Sequence, residues 1–389
     1  ITHGFVQVAN EPCMLVKQVP QRSLPNAKHD LETLLDNLHA LSVYHVDDQL
    51  ALWKSLRQGS DYIEASHKMW KMKVEGKLDK VGDRIVHLSV ETEYLEGNRI
   101  TRKMNACLTA AVKKFGMQTT KIYKTPYLSQ GDKFTGALTE ADALSKVDSE
   151  LYRSMVCTLV YTVKIRPDTC YIVCVLCRFL KNPDTLCMNA IKRVYKYLAN
   201  TLDYGLTFVA HDIASWRVHA MCDTDYGSND PDRKCWGSSM VFIGPNLVSV
   251  TCALQASTAL STNEAEWVQY VVTIRQMEAL RIMMRDLGLP GVGPAVLKGD
   301  NAGALYWLKS PTALQKRKHI DIRYKWINEK IDLSDVVAEH IRTGKNLSDM
   351  NTKALTVQPF VSCRDALMGP VYEACPNLSV DYGISDLKI

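Results

Sequence analysis

Over its 389 residues the chain has no apolar run approaching the roughly 20 residues that a membrane-crossing helix needs, which excludes a helical span. Low-complexity tracts are also missing. With 46% hydrophobic and 23% charged residues, the composition is that of packed domains rather than a disordered chain. Excess charge of one sign is scarce: the net charge is only +5, so nothing resembles a strongly basic tail, and nucleic acid would have to be held by local patches. Twelve cysteines are present, but zinc-type pairing is absent. Cys170, Cys174 and Cys177 fall at helical spacing inside an apolar segment, without a second pair or a nearby histidine, and read as core thiols in a reducing, intracellular compartment. An initiator Met and a signal-like segment are lacking too, so Ile1 reads as a point inside a longer protein. The length fits two or three domains.

What the chain does have is four acids in four separate local contexts between Met221 and Ala354. Asp223 follows a short apolar run ending in Met221-Cys222. Glu266 lies in Leu260-Ser-Thr-Asn-Glu-Ala-Glu266, where a helix starts. Asp300 ends Val296-Leu-Lys-Gly-Asp300, a strand reading into another helix, and Asp349 lies in Asn346-Leu-Ser-Asp349 after a last strand. In-line attack of water on a phosphodiester builds negative charge on the attacking and leaving oxygens. Two hard cations about 3.5–4 Å apart stabilise both, and hard cations take oxygen ligands. Carboxylates crowded together repel unless a cation sits among them. Taken singly, Asp223 and Asp300 also suit turns, Glu266 a solvated helix face and Asp349 a helix cap, and Glu264 is an alternative to Glu266 as the ligand. The ordered set is what points to two-metal nuclease chemistry.

The same stretch resembles the ribonuclease H region of copia-type retrotransposon Pol polyproteins. The resemblance is carried by Cys222-Asp-Thr-Asp-Tyr-Gly227, Asp232-Arg-Lys234, Ala259-Leu-Ser-Thr-Asn-Glu-Ala-Glu266, Gly299-Asp-Asn301, Lys318-His-Ile-Asp-Ile-Arg323 and Ser348-Asp-Met-Asn-Thr-Lys353. Upstream, His45-Val-Asp-Asp48 resembles the Tyr-Val-Asp-Asp box of reverse transcriptases. Leu95-Glu-Gly-Asn-Arg-Ile-Thr101, Tyr152-Arg-Ser154, Arg166-Pro-Asp168 and Asp203-Tyr-Gly-Leu206 match the end of the palm and the helical region before the nuclease. The resemblance implies that Asp223, Glu266, Asp300 and Asp349 are catalytic ligands of two Mg²⁺ or Mn²⁺ ions, with Asp47 and Asp48 as further metal ligands in the palm remnant. It implies an RNA–DNA hybrid as partner, a missing N-terminal polyprotein portion as a second one, and a cytoplasmic particle or the nucleus as location. Lys316, Arg317, Lys318, His319 and Arg323 are candidate phosphate contacts; as residues alone they read equally well as a solvated basic face. Departures from the family pattern are His45 in place of Tyr or Phe, Gln49 after the acids, Ser89, Cys235-Trp236, Val250 and Lys316-Arg317. Two further functions stay open: a decayed remnant that at most binds nucleic acid, and a polymerase part that needs its N-terminal portion.

The expected fold is α/β (α+β): a truncated reverse transcriptase palm over 1–130, a helical connection over 131–215, a ribonuclease H-like mixed sheet with flanking helices over 216–356, and a tail over 357–389. Apolar runs predict short strands in 1–20 and a hairpin turning at Asp47-Asp48. Three helices are expected near 149–164, 167–181 and 184–200, with Pro167 and Pro183 in first turns. Strands are expected near 216–222, 237–243, 247–252, 295–299 and 335–341, and helices near 301–309, 318–331 and from about 346. Trp267, Val271, Ile274, Met277, Leu280, Met284 and Leu287 form an apolar stripe that predicts a core-facing helix, capped by Ser261 or Thr262 and closed by Gly288-Leu-Pro290. The stretch after 357 shows no periodicity.

Overall fold

The computed structural model describes residues 6–8, 11–18, 38–45, 48–53, 56–69, 73–210, 216–226, 233–287, 289, 293–309, 321–333 and 335–368. At the N-terminus β1 (Val6–Val8), β2 (Glu11–Gln18), β3 (Leu38–His45) and β4 (Asp48–Trp53) form an antiparallel sheet in that order. α1 (Leu56–Met69) follows. His45 pairs with Asp48 at the end of the expected hairpin. Asp48 opens β4, and Asp47 lies outside the described residues. Gln49 is accommodated as a polar residue because its amide donates to Ser42 Oγ and to the Tyr62 hydroxyl.

A second antiparallel sheet joins β5 (Arg84–His87), β6 (Val90–Leu95), β7 (Arg99–Lys103) and, far along the chain, β8 (Leu206–Val209). Between β7 and β8 run α2 (Asn105–Lys114), α3 (Lys146–Val160), α4 (Cys170–Cys177) and α5 (Thr185–Ala199). Ser145 caps α3 by accepting from the Asp148 amide at 3.1 Å, and Asp184 caps α5 by accepting from the Cys187 amide at 2.7 Å. Two expectations are corrected here. The helix predicted over 167–181 is a 3₁₀ turn, Pro167–Thr169, running into the shorter α4. Pro183 stands before the cap of α5, outside the helix, because Asp184 takes the capping position. Next to this turn Arg166, fully buried, holds Asp168 with Nε at 2.9 Å and Nη2 at 2.7 Å. Its remaining donors reach the Thr201 carbonyl at 2.8 Å and hydroxyl at 2.7 Å, and the Tyr197 hydroxyl donates to Asp168 at 2.6 Å.

The third sheet is mixed. It contains β9 (Val218–Asp225), β10 (Trp236–Ile243), β11 (Asn246–Leu254), β12 (Ala295–Gly299) and β13 (Val336–His340). Their order is β11-β10-β9-β12-β13, with β10 antiparallel to β9 and β11, and β12 parallel to β9 and β13. α6 (Thr262–Asp286), α7 (Ala302–Lys309) and α8 (Asp321–Asp332) accompany it. The strand period of two divides β9 between two cores. Ala220 and Cys222 pack with Trp267, Val271, Ile274 and Met277 of α6, so the predicted stripe is core. Met221 points the other way and joins Trp236, Met240 and Phe242 in a core shared with α3, α4 and α5.

After β13 the helix expected from about 346 is instead two 3₁₀ turns, Thr343–Lys345 and Leu347–Asn351. The Asn346 side chain stops α-helical continuation: it accepts from the Ser348 amide at 3.2 Å and donates to the Cys222 carbonyl of β9 at 2.9 Å. The stretch to which no periodicity was assigned contains α9 (Val357–Met368). Its anchor, Phe360, is 0% exposed, with ring centroids 5.5 Å from Tyr127 and 5.9 Å from Tyr197. Such a ring buries enough apolar area to hold a helix whose pattern is otherwise thin.

Candidate metal centre

Asp223 lies near the end of β9, 3% exposed, opposite Ser238 of β10. A serine there leaves the pair polar, and Ser238 in turn accepts from Ser348 at 2.9 Å, which fastens the Leu347–Asn351 turn to the sheet. Asp349 on that turn therefore stands beside Asp223. Asp300 follows β12 directly. Tyr270 of α6 lies across this strand end, where any side chain on Gly299 would collide with its ring and hydroxyl. Beyond it, the Asn301 side chain caps α7 by accepting from the Ala304 amide at 3.0 Å, and His340 Nε2 sits 3.1 Å from the Asp300 carbonyl. Asp300 is thus fixed from both sides.

The structure separates the two candidate glutamates at the start of α6. Ser261 accepts from the Glu264 amide at 3.2 Å, and the Glu264 carboxylate accepts from the Leu260 amide at 3.2 Å, so Glu264 works in capping the helix. Glu266, half a turn on and 3% exposed, faces the other acids. One carboxylate oxygen each from Asp223, Glu266 and Asp300 lies within 4.8 Å of the others. Asp349 is not in that group of three; it flanks Asp223 on the side of the 3₁₀ turn, close enough for each to perturb the other's ionisation.

Burial and like charge dominate the electrostatics. Burial, then the neighbouring Asp349, pushes the Asp223 carboxyl up to about 8. Burial, then Asp223 and Asp300, pushes Glu266 up to about 9. Asp349 is raised as well, mainly by burial, against the pull of Lys353. Glu266 Oε2 is buried and has no hydrogen-bond partner, as does Asp349 Oδ1. Orphaned carboxylate oxygens of this kind are costly to keep and are ligand positions for a hard cation.

Two residues beside the acids were not singled out from the sequence. The Thr352 hydroxyl donates to Asp223 Oδ2. Lys353 Nζ is 3.6 Å from Asp223 Oδ2 and 3.3 Å from Asp349 Oδ1, within ion-pair range but without hydrogen-bond geometry to the latter. Both belong to the Ser348–Lys353 motif, and the four-residue step from Asp349 to Lys353 was the signal for one of them. Of the other candidates, Lys316, Arg317, Lys318, His319 and Asp47 lie outside the described residues. Arg323 falls in α8 and Asp48 in β4, with side chains outside the description.

No protein-family model matches the chain. It is 30% identical over 259 residues to the retrovirus-related Pol polyprotein from transposon TNT 1-94 of Nicotiana tabacum, matching 65% of this chain and 19% of that one. To the corresponding polyprotein from transposon RE1 of Arabidopsis thaliana it is 29% identical over 213 residues, 55% of this chain and 14% of the relative. The chain is similar in sequence to the Pol polyproteins of retrotransposons. That is the family to which its motifs pointed, and the chain spans less than a fifth of these relatives' length, at 19% and 14%. Among solved structures, the foamy viral protease-reverse transcriptase in complex with RNA/DNA hybrid aligns with 88% of the chain and 41% of its own, at 10% identity and a TM-score of 0.43. Within this chain the irregular Cys235-Trp236 pair is absorbed by packing. Cys235 is 0% and Trp236 6% exposed, and the Trp236 ring stands edge-on to Tyr171 at 5.7 Å.

Proposed function

We propose that this chain is a divalent-metal-dependent ribonuclease H that cuts the RNA strand of RNA–DNA hybrids. The observation that carries the reading is the convergence of Asp223, Glu266 and Asp300 oxygens within 4.8 Å, with a buried, unpartnered Glu266 oxygen among them. The donor set fits Mg²⁺ or Mn²⁺: it offers only hard oxygens, from strand β9, helix α6 and the end of β12. Asp223, Glu266 and Asp300 would hold one ion, and Asp223 with Asp349 would hold a second. Bound there, the ions would supply charge neutralisation for the attacking and leaving oxygens of an in-line phosphodiester displacement.

The protein's own part is positional. Gly299 and Tyr270 fix Asp300, the Asn346 and Ser348 contacts fix Asp349, and Thr352 orients Asp223. The raised Asp223 and Glu266 carboxyls hold protons at neutral pH without metal, so loading the site releases protons as it forms. The substrate class rests on the family's motifs, in which Lys318, His319 and Arg323 would meet phosphates of a duplex read through its shape and 2′-hydroxyls. The chemistry proposed is the nuclease's alone; polymerisation by Asp47 and Asp48 would need the N-terminal portion of a Pol polyprotein. The test is incubation with a 5′-labelled hybrid with and without Mg²⁺, against single-stranded RNA and duplex DNA controls. Metal-dependent cutting confined to the RNA strand of the hybrid is expected. A folded chain that leaves the hybrid whole at millimolar Mg²⁺ and Mn²⁺ overturns the reading.

A further inference from the structure

The four carboxylates are not equivalent, because a cation of the chain's own stands on one side of the cluster. Lys353 Nζ lies 3.6 Å from Asp223 Oδ2 and 3.3 Å from Asp349 Oδ1. Its side chain is 37% exposed, whereas those of Asp223 and Asp349 are 4% and 12% exposed. The ammonium therefore reaches the carboxylate pair from the solvent side, along a stem that has room to swing out. Asp349 Oδ1 makes no hydrogen bond, so what holds Lys353 to it is charge rather than a directional contact. Glu266 and Asp300 are not within ion-pair distance of Lys353, and their oxygens face the other half of the cluster.

An ammonium and a divalent ion compete for the same oxygens, and a hard ion coordinates them far more closely than an ion pair does. We propose that Lys353 occupies the second cation position of the site, so that one divalent ion binds readily among Asp223, Glu266 and Asp300. A second ion enters between Asp223 and Asp349 only as Lys353 moves off them. This rests on the metal-dependent reading above and adds an asymmetry that the reading does not require. Lys353 is in this sense a positioning residue: it gates the second ion and holds a positive charge beside Asp223 and Asp349 until that ion arrives.

The test is Mn²⁺ binding to the full chain, followed by calorimetry and by the electron paramagnetic resonance of free Mn²⁺, with folding checked by circular dichroism. The parent should bind one ion tightly and a second at least about tenfold more weakly, and Lys353→Met should tighten the second by about tenfold or more. Lys353→Arg keeps the charge and should leave the second site weak. Asp349→Asn should remove the second site and spare the first. Two ions bound with equal affinity by the parent, or a second site unchanged in Lys353→Met, overturns the proposal while leaving the metal reading intact. If Lys353→Met does not fold, the parent and Lys353→Arg titrations decide by the same criterion. If the parent binds no Mn²⁺ at all, the metal reading itself fails and the proposal with it.

Discussion

Two groups of buried charge in this chain are built on opposite plans. Around Arg166, a fully buried cation meets a fully buried anion, Asp168, and hydroxyls of Thr201 and Tyr197 take up what the ion pair leaves over. Around Asp223, buried carboxyl groups gather with one another, two of them are pushed up to about 8 and 9, and a Glu266 oxygen goes without a hydrogen bond while the Asp349 oxygen meets only the half-exposed Lys353. The first group is complete within the protein, so it holds the fold. The second is incomplete within the protein: its carboxyl groups crowd one another without a full set of partners. A tally of buried charge would treat the two alike. What separates them is whether every polar atom has a partner.

That contrast can be broken by substitution, and the largest effect should fall on the complete network. Arg166→Ala leaves Asp168 buried and uncompensated, and should lower unfolding free energy in urea by about 3–5 kcal/mol. A loss under about 1 kcal/mol would show the pair to be dispensable. At the other site Asp300→Asn should cost cleavage at least the about 100-fold that even supporting residues of metal sites are worth, with folding kept. Hybrid cleavage by this variant at the parent's rate would remove Asp300 from the chemistry.

The unsatisfied group should also weaken the metal-free fold in a pH-dependent way. Asp223 and Glu266 ionise near 8 and 9 in the folded chain but near about 4 when unfolded, so between these limits the folded state holds protons that the unfolded state has released. Their contribution is fully present below about pH 4 and falls away as pH rises toward about 9. Glu266→Gln should therefore stabilise the metal-free protein by about 1–3 kcal/mol above pH 8 and by little at pH 4. Thermal melts in chelator across that range check it, and a variant that gains nothing at high pH would mean Glu266 is solvated. The smallest effect is expected outside both groups: Lys318→Ala should flatten the log–log salt dependence of hybrid binding by about 1 without changing cleavage at saturation.

Much of this could be read from residues alone, and the misses have physical causes. Strand β12 was placed correctly because a short apolar run ended at a glycine and an acid. The start of α6 followed from Ser261, yet the choice between Glu264 and Glu266 did not. Both suit a helix start, and only the capping contact of Glu264 with Leu260 tells them apart. The turn carrying Asp349 was expected to be α-helical because nothing local shows that Asn346 will spend its side chain on Cys222, 124 residues away. α9 went unread because its buried face mixes Phe360 and the distant Met368 with a cysteine and an arginine that sits against Tyr204. Pattern reading finds elements that bury several apolar side chains of their own. It misses those held by a single ring in someone else's core.

Phe360 carries a consequence for how such a chain can change over generations. The Tyr127 hydroxyl donates to the Met350 carbonyl at 3.2 Å, next to Asp349, and the same ring packs on Phe360, which also meets Tyr197. Asp349, the acid nearest Lys353, is thereby steadied by Tyr127, more than 200 positions upstream, and by a helix that follows it. Mutations in these segments are not neutral background for the acidic cluster. A recombination that exchanged the sheet alone would inherit the four acids but not the aromatic ring contacts that set one of them. Lineages of this element should therefore drift at Tyr127, Tyr197 and Phe360 together, as one heritable unit with Asp349, however far apart they lie in sequence.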